Sequence, residues 1–209
     1  MILLPSRGRP GNLERFAREC RAFDVRQRFT ILLDDDDAKN YLSVKLPENC
    51  EIEIRGRKSN GERFQDYFER HPNEPYYAFF ADDVIPHTRE WDTKLAVAAG
   101  AINVAWPRDG IADQPTIVFI GGDLVRTVGW LCPPGLKHLW LDTLWGEIGK
   151  ALGVTHFCRD IEMEHCHYTN GKAPYDATYR ERSTDGKDVF DRLIANMPEI
   201  VARCRTLYS

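Results

Sequence analysis

The stretch YYAFFADDVIPHTREWD, residues 76–92, ends an aromatic run in two adjacent carboxylates, Asp82 and Asp83. Two chemistries suit such a pair. One is a solvated polar turn after a strand. The other is a grip on a hard divalent cation such as Mg²⁺ or Mn²⁺, which takes one or two carboxylates and fills its remaining positions with water and phosphate oxygens. Further along, MEHCHY supplies His165 and His167, two residues apart, which on a strand project to one face and away from Cys166. They read either as hydrogen-bonded histidines in a crowded strand or as ion ligands. A zinc set drawn from His156, Cys158, His165, Cys166 and His167 fits no common structural spacing. In HLWLDTLW, Asp142 precedes an apolar stripe, where an acid caps a helix or sits favourably in its first turn. Basic side chains follow the opening apolar run in PSRGR, and four acids, Asp34 to Asp37, follow RFTILL.

The elements that must carry these groups follow from periodicity. MILL reads as a strand; Leu13, Phe16, Ala17 and Cys20 recur on one helical face. RFTILL is a second strand, Ala38 to Val44 a short helix, CEIEI a third strand, GERFQDYFER a helix and PYYAFF a fourth strand. That alternation predicts an α/β domain with a mostly parallel central sheet flanked by helices. Beyond it lie a helix in WDTKLAVAAGA, strands in INVAWP and TIVFIG, and a helix over 141–152. THFCRDIEMEHCHY is predicted extended, residues 169–186 a loop and residues 189–204 one closing helix. Open α/β sheets bind ligands beyond the carboxyl ends of their strands. PSRGR, DDDD and ADDV all fall there.

At 209 residues, one domain is expected, with a first half (1–100) forming the nucleotide side and a second half (101–209) completing the site. The 43% hydrophobic content supports a substantial core. No apolar run approaches the roughly 20 residues a membrane helix needs, and the expected location is cytoplasmic. Six scattered cysteines without a CxxC pair read as reduced thiols. The net charge of −4 argues against a surface built around nucleic acid, although residues 1–30 hold seven arginines against three acids. Neither G-x-G-x-x-G nor G-x-x-x-x-G-K-[ST] is present, so a diphosphate would be held by other means, for which a metal ion is suited.

Taken together, LLPSRGRP, LLDDDD, FFADDVIPHTREWD, HLWLDTLW and MEHCHYTNGKAPYDATY resemble the GT-A (Rossmann-like) glycosyltransferases of the family-2-like kind, including bacteriophage-encoded members. The resemblance runs to about residue 180. Ala81 stands where many members carry a third acid of the DxD-type motif. The resemblance implies a nucleoside-diphosphate sugar as donor, foremost a UDP-sugar, and Mn²⁺ or Mg²⁺ as cofactor. It makes Asp83 the metal ligand, with His165 favoured over His167 beside it. Asp82 would lie near the donor ribose or metal-bound water; Pro5, Ser6 and Arg7 would line the nucleotide pocket, and Asp34 would face the base. Asp142 would be the general base of an inverting transfer. Lys172, in a loop closing over the donor, would meet the diphosphate. A phage-encoded member would work in the host cytoplasm on an acceptor such as a hydroxymethylated pyrimidine in DNA. The rival expectations are a nucleotidyltransferase, a sugar-nucleotide-binding module without turnover and, more remotely, a metal-dependent hydrolase.

Overall fold

The computed structural model describes residues 1–111, 115–181 and 186–207. Strand β1 (Ile2–Pro5) and helix α1 (Pro10–Ala22) open the chain. Pro10 lies in the first turn of α1, where a missing N–H costs nothing. The face of α1 that packs inward is Leu13, Phe16, Ala17 and Cys20, as the spacing requires. Strand β2 (Phe29–Asp34) leads through a 3₁₀ turn at Ala38–Tyr41 to β3 (Cys50–Arg55) and α2 (Asn60–Arg70). A capping box starts α2: the Glu62 N–H donates to the Ser59 hydroxyl, and the Glu62 carboxylate accepts from the Ser59 N–H. Strands β4 (Tyr76–Phe79) and β5 (Val84–Pro86) flank the aspartate pair.

The remainder comprises α3 (Trp91–Ala99), β6 (Val104–Arg108), β7 (Val118–Gly121), α4 (Gly122–Val128), α5 (Leu141–Leu152), β8 (Thr155–His165), α6 (Ala177–Glu181), α7 (Lys187–Ala195) and α8 (Met197–Cys204). The loop expected at 169–186 contains the short helix α6, and its part at 182–185 lies outside the described residues. The single closing helix is two, broken at Asn196 because Pro198, at the start of α8, cannot continue α7.

The eight strands form one sheet in the order β3-β2-β1-β4-β7-β6-β8-β5. Here the expectation of a mostly parallel sheet is corrected to a mixed one. The pairs β2/β3, β1/β2, β1/β4 and β6/β8 are parallel, whereas β4/β7, β6/β7 and β5/β8 are antiparallel. The cause is connection length: β6 reaches β7 through residues 109–117 alone, too few for the helical crossover that a parallel neighbour requires. Side chains from the two faces of the sheet form two cores. One gathers Phe64, Tyr67, Leu144, Trp145 and Ile148 from α2 and α5; the other gathers Leu13, Phe16, Trp91 and Leu95 from α1 and α3. The result is one α/β domain with helices on both faces. Among the described residues no helix is long and apolar enough to cross a membrane.

Candidate active site

The carboxyl ends of β1, β2 and β4 open onto a cleft of about 840 Å³. Pro5, Ser6, Arg7, Asp34, Asp82, Asp83, Asp142 and His165 all line it. Its size falls in the range of small-molecule sites.

The register of one short ladder brings the central pair together. Strand β5 runs antiparallel to β8 with Val84 opposite His165, and the Cys166 N–H donates to the Asp83 carbonyl at 2.8 Å. Asp83 and His165 are therefore neighbours across the ladder, and Asp83 Oδ1 lies 3.1 Å from His165 Nε2. On the other side of the imidazole, Asp109 Oδ2 is 3.5 Å from His165 Nδ1, and Thr116 hydrogen-bonds the same carboxylate. Burial works against a charged imidazole, but the Asp109 and Asp83 carboxylates outweigh it and push His165 up to about 9. His167 is placed differently: its Nδ1 bonds the Thr169 hydroxyl at 2.7 Å, with its ring edge-on to His165 at 5.6 Å between centroids.

The two adjacent aspartates have opposite environments. Asp82 Oδ2 accepts the Ser6 hydroxyl at 2.6 Å, and Oδ1 receives Arg9 Nη1 and Asn12 Nδ2, both at 3.4 Å. Burial, joined by the Asp83 charge, pushes Asp82 up to about 6. Burial acts in the same direction on Asp83, but there the His165, Tyr179 and Arg9 contacts prevail and hold it below the usual carboxylate range. Asp83 is thus the more readily ionised of the two.

Asp34 ends β2 and is 4% exposed. It accepts Arg7 Nη1 at 2.9 Å and forms an ion pair with Arg63, a buried cation from α2. Arg7 also reaches Asp36 at 2.6 Å. Asp37 is buried and accepts the Gly8 N–H at 2.6 Å and the Asn40 amide at 2.6 Å. The acidic run is thereby a set of clasps that shape the loop after β1.

Asp142 begins α5 half-buried. Its Oδ1 accepts the Thr143 N–H at 2.7 Å. Burial raises its carboxyl above the ordinary value. Two positions earlier, at the N-cap of α5, Trp140 holds a left-handed backbone with φ of 75°, a conformation costly for a bulky side chain. Trp140 is on the cleft lining with its ring against Phe190, 5.2 Å between centroids, whereas Trp145 is core, donating its indole N–H to the Leu131 carbonyl at 2.9 Å.

One expected residue sits elsewhere. Lys172 does not line the cleft; its ammonium pairs with Glu164 at 2.9 Å beside a smaller cavity that shares Arg9, Asp83 and Tyr179 with the main one. Four contributors escaped sequence reasoning: Arg63, Asp109, Thr116 and Tyr179. Only Arg63 left a signal, since its position on α2 falls in the helical stripe with Phe64 and Tyr67 and so demands burial.

Among the described residues no cluster of three or more His, Cys, Asp or Glu side chains could hold a metal by itself. That removes the zinc alternative for those residues. Asp83 and His165 are the two side chains that would hold an ion here, with water and phosphate oxygens completing its shell. Asp83 Oδ1 is buried and faces the His165 imidazole. Its 3.1 Å separation from His165 Nε2 also matches the edge of an octahedron with ligands at about 2.1 Å. The donor set fits Mn²⁺ or Mg²⁺, with the imidazole favouring Mn²⁺.

No protein-family model matches the sequence, and no curated protein matches it. Solved structures do match. The mannosyltransferase PcManGT from Pyrobaculum calidifontis, in complex with GDP-Man and Mn²⁺, superposes with a TM-score of 0.58 at 8% identity, over 97% of this chain and 71% of that one. A structure described as a mycobacterial protein gives a TM-score of 0.56 at 9% identity, over 97% and 74%. The chain has a fold seen in a glycosyltransferase.

Proposed function

We propose that this chain is a divalent-metal-dependent glycosyltransferase that moves a sugar from a nucleoside-diphosphate sugar to an acceptor hydroxyl. The observation that carries the reading is the pairing of Asp83 with His165 at the floor of a cleft formed by strand ends. The fold shared with a GDP-Man- and Mn²⁺-bound mannosyltransferase supports it.

In this reading Asp83 and His165 hold Mn²⁺ or Mg²⁺, which supplies neutralisation of the diphosphate leaving group. The main-chain and side-chain groups of Pro5, Ser6 and Arg7, fixed by Asp34, Asp36 and Asp37, form the nucleotide wall. Asp82 orients the donor through the hydrogen-bond set it shares with Ser6 and Asn12. Asp142, across the cleft, takes the proton of the acceptor hydroxyl as that oxygen attacks the anomeric carbon in line, which inverts the centre. A carboxyl raised by burial is a stronger base than a solvated one, provided it is ionised at the working pH. Trp140 offers an aromatic face to the acceptor side. A modified pyrimidine in DNA is one acceptor in this proposal; Arg57, Lys58 and Lys137 on the cleft lining supply the cations a phosphate backbone would meet.

The test is turnover of nucleoside-diphosphate sugars, UDP- and GDP-linked first, with Mn²⁺ and a panel of hydroxyl acceptors that includes hydroxymethylated DNA. Nucleoside diphosphate should be released. Release of pyrophosphate instead would move the chain to the nucleotidyltransferases, and tight donor binding with no turnover on any acceptor would mark a binding module.

A further inference from the structure

The two oxygens of Asp83 are treated differently by the protein. Oδ1 is buried and faces His165 Nε2 at 3.1 Å. Oδ2 accepts the phenol hydroxyl of Tyr179 at 2.8 Å, a buried contact spanning 96 residues of chain. The phenol is itself held from several sides. Its main-chain N–H donates to Asp176 Oδ1 at 3.1 Å at the start of α6. The Arg9 guanidinium lies over its ring, 4.4 Å from the centroid. Arg9 is in turn clamped by Asp176, donating through Nε at 2.8 Å and Nη2 at 2.9 Å. Asp176 thus ties together the helix that carries Tyr179 and the cation that covers it.

We propose that Tyr179 is a positioning residue for the metal-binding carboxylate: its hydroxyl occupies Asp83 Oδ2, so that Oδ1 alone is presented beside His165. The proposal rests on the metal reading given above. A carboxylate with both oxygens free can take two positions on a small cation. One whose second oxygen is engaged takes a single position and leaves more for diphosphate oxygens and water. Hydrogen bonds to the far atoms of ligating side chains commonly change metal affinity by about 10- to 100-fold. Asp82 needs no such device, because Ser6, Asn12 and Arg9 already engage both of its oxygens.

The experiment is titration of the full chain with Mn²⁺ alone, following the paramagnetic resonance signal of the free ion, in the wild type, Tyr179→Phe and Tyr175→Phe. Phenylalanine keeps the ring under Arg9 and removes only the hydroxyl. Tyr175 stacks on Tyr179 at 6.0 Å but does not touch Asp83, and serves as the control. Tyr179→Phe should weaken Mn²⁺ binding about tenfold, while Tyr175→Phe stays at the wild-type value. A second measurement needs no variant at position 179. The infrared difference between Mn²⁺-loaded and metal-free wild type, corrected with Asp83→Asn, should show the wide carboxylate splitting of a one-oxygen ligand. Equal affinities for wild type and Tyr179→Phe, equal weakening by Tyr175→Phe, or a two-oxygen signature in the wild type would each overturn the role of Tyr179 and leave the metal reading standing. Failure of the wild type to bind Mn²⁺ saturably would overturn both.

Discussion

Asp82 and Asp83 are neighbours in sequence, yet one is pushed up to about 6 and the other is held below the carboxylate range. The difference lies in their partners, two neutral donors with a shared arginine against an imidazole and a phenol. The doublet itself was legible, because two acids ending a buried strand need a reason. Which acid ionises more readily was not, since Tyr179 and Asp109 approach from distant parts of the chain. Asp34 shows the same division. Its place at the end of β2 could be read from RFTILLDDDD, whereas its clasp by Arg63 depended on how α2 packs. Two consequences belong to single residues. Replacing Asp142 by Asn should lower the transfer rate about 10²–10⁴-fold, the usual share of a general base, with donor affinity retained in a binding isotherm. An unchanged rate would remove Asp142 from the chemistry. Replacing Arg63 by Met leaves the buried Asp34 carboxylate with Arg7 as its remaining cation. The expected cost is about 3 kcal/mol in urea unfolding, the scale for removing one partner of a buried pair. A loss below about 1 kcal/mol would show that Arg7 suffices.

Among the elements, the β5/β8 ladder and the start of α2 govern the site. The ladder is short on the β5 side, Val84–Pro86, and was not visible as a strand because three residues carry no period. It nevertheless sets Asp83 opposite the end of β8, which the alternation in THFCRDIEMEH did announce. The first four strands and the helices α1, α2 and α5 were legible because their apolar spacing is strong. Helix α4 was not, being seven residues long and opening on glycine. At α2 the close approach of Gly61 to the loop before α5 matters. The Gly61 N–H donates to the Lys137 carbonyl at 2.8 Å, and a Cβ on Gly61 would meet the Leu136 carbonyl oxygen at 1.9 Å. Gly61→Ala must therefore displace backbone leading to His138 and Trp140 on the cleft lining. It should cost about 1–3 kcal/mol by overpacking and weaken donor binding as well. A variant as stable as wild type in thermal unfolding would show that the loop yields freely.

At the scale of the molecule, the mixed sheet explains how both ends of the sequence reach one cleft. The parallel run β3-β2-β1-β4 brings its strand ends to one rim, as the alternation of strands and helices implied. The antiparallel return of β7 and the parallel addition of β6 and β8 then carry His165 back to the same rim. Periodicity could show that β6, β7 and β8 exist, but their order in the sheet was decided by connection lengths and by which faces needed covering. The account predicts that the cation and the nucleotide strengthen each other's binding, since Asp83 and His165 together leave coordination positions for diphosphate oxygens. Ligand binding to the folded state raises apparent stability, by about 2.7 kcal/mol at a hundredfold excess over Kd. The most direct measurement is thermal unfolding of the wild type and Asp83→Ala with a panel of nucleoside diphosphates, each with and without Mn²⁺. The prediction is that nucleotide and Mn²⁺ together stabilise the wild type more than either alone, and that the Mn²⁺-dependent part is absent from the folded Asp83→Ala variant. An equal Mn²⁺-dependent shift in the variant, or none with any nucleotide in the wild type, would contradict it.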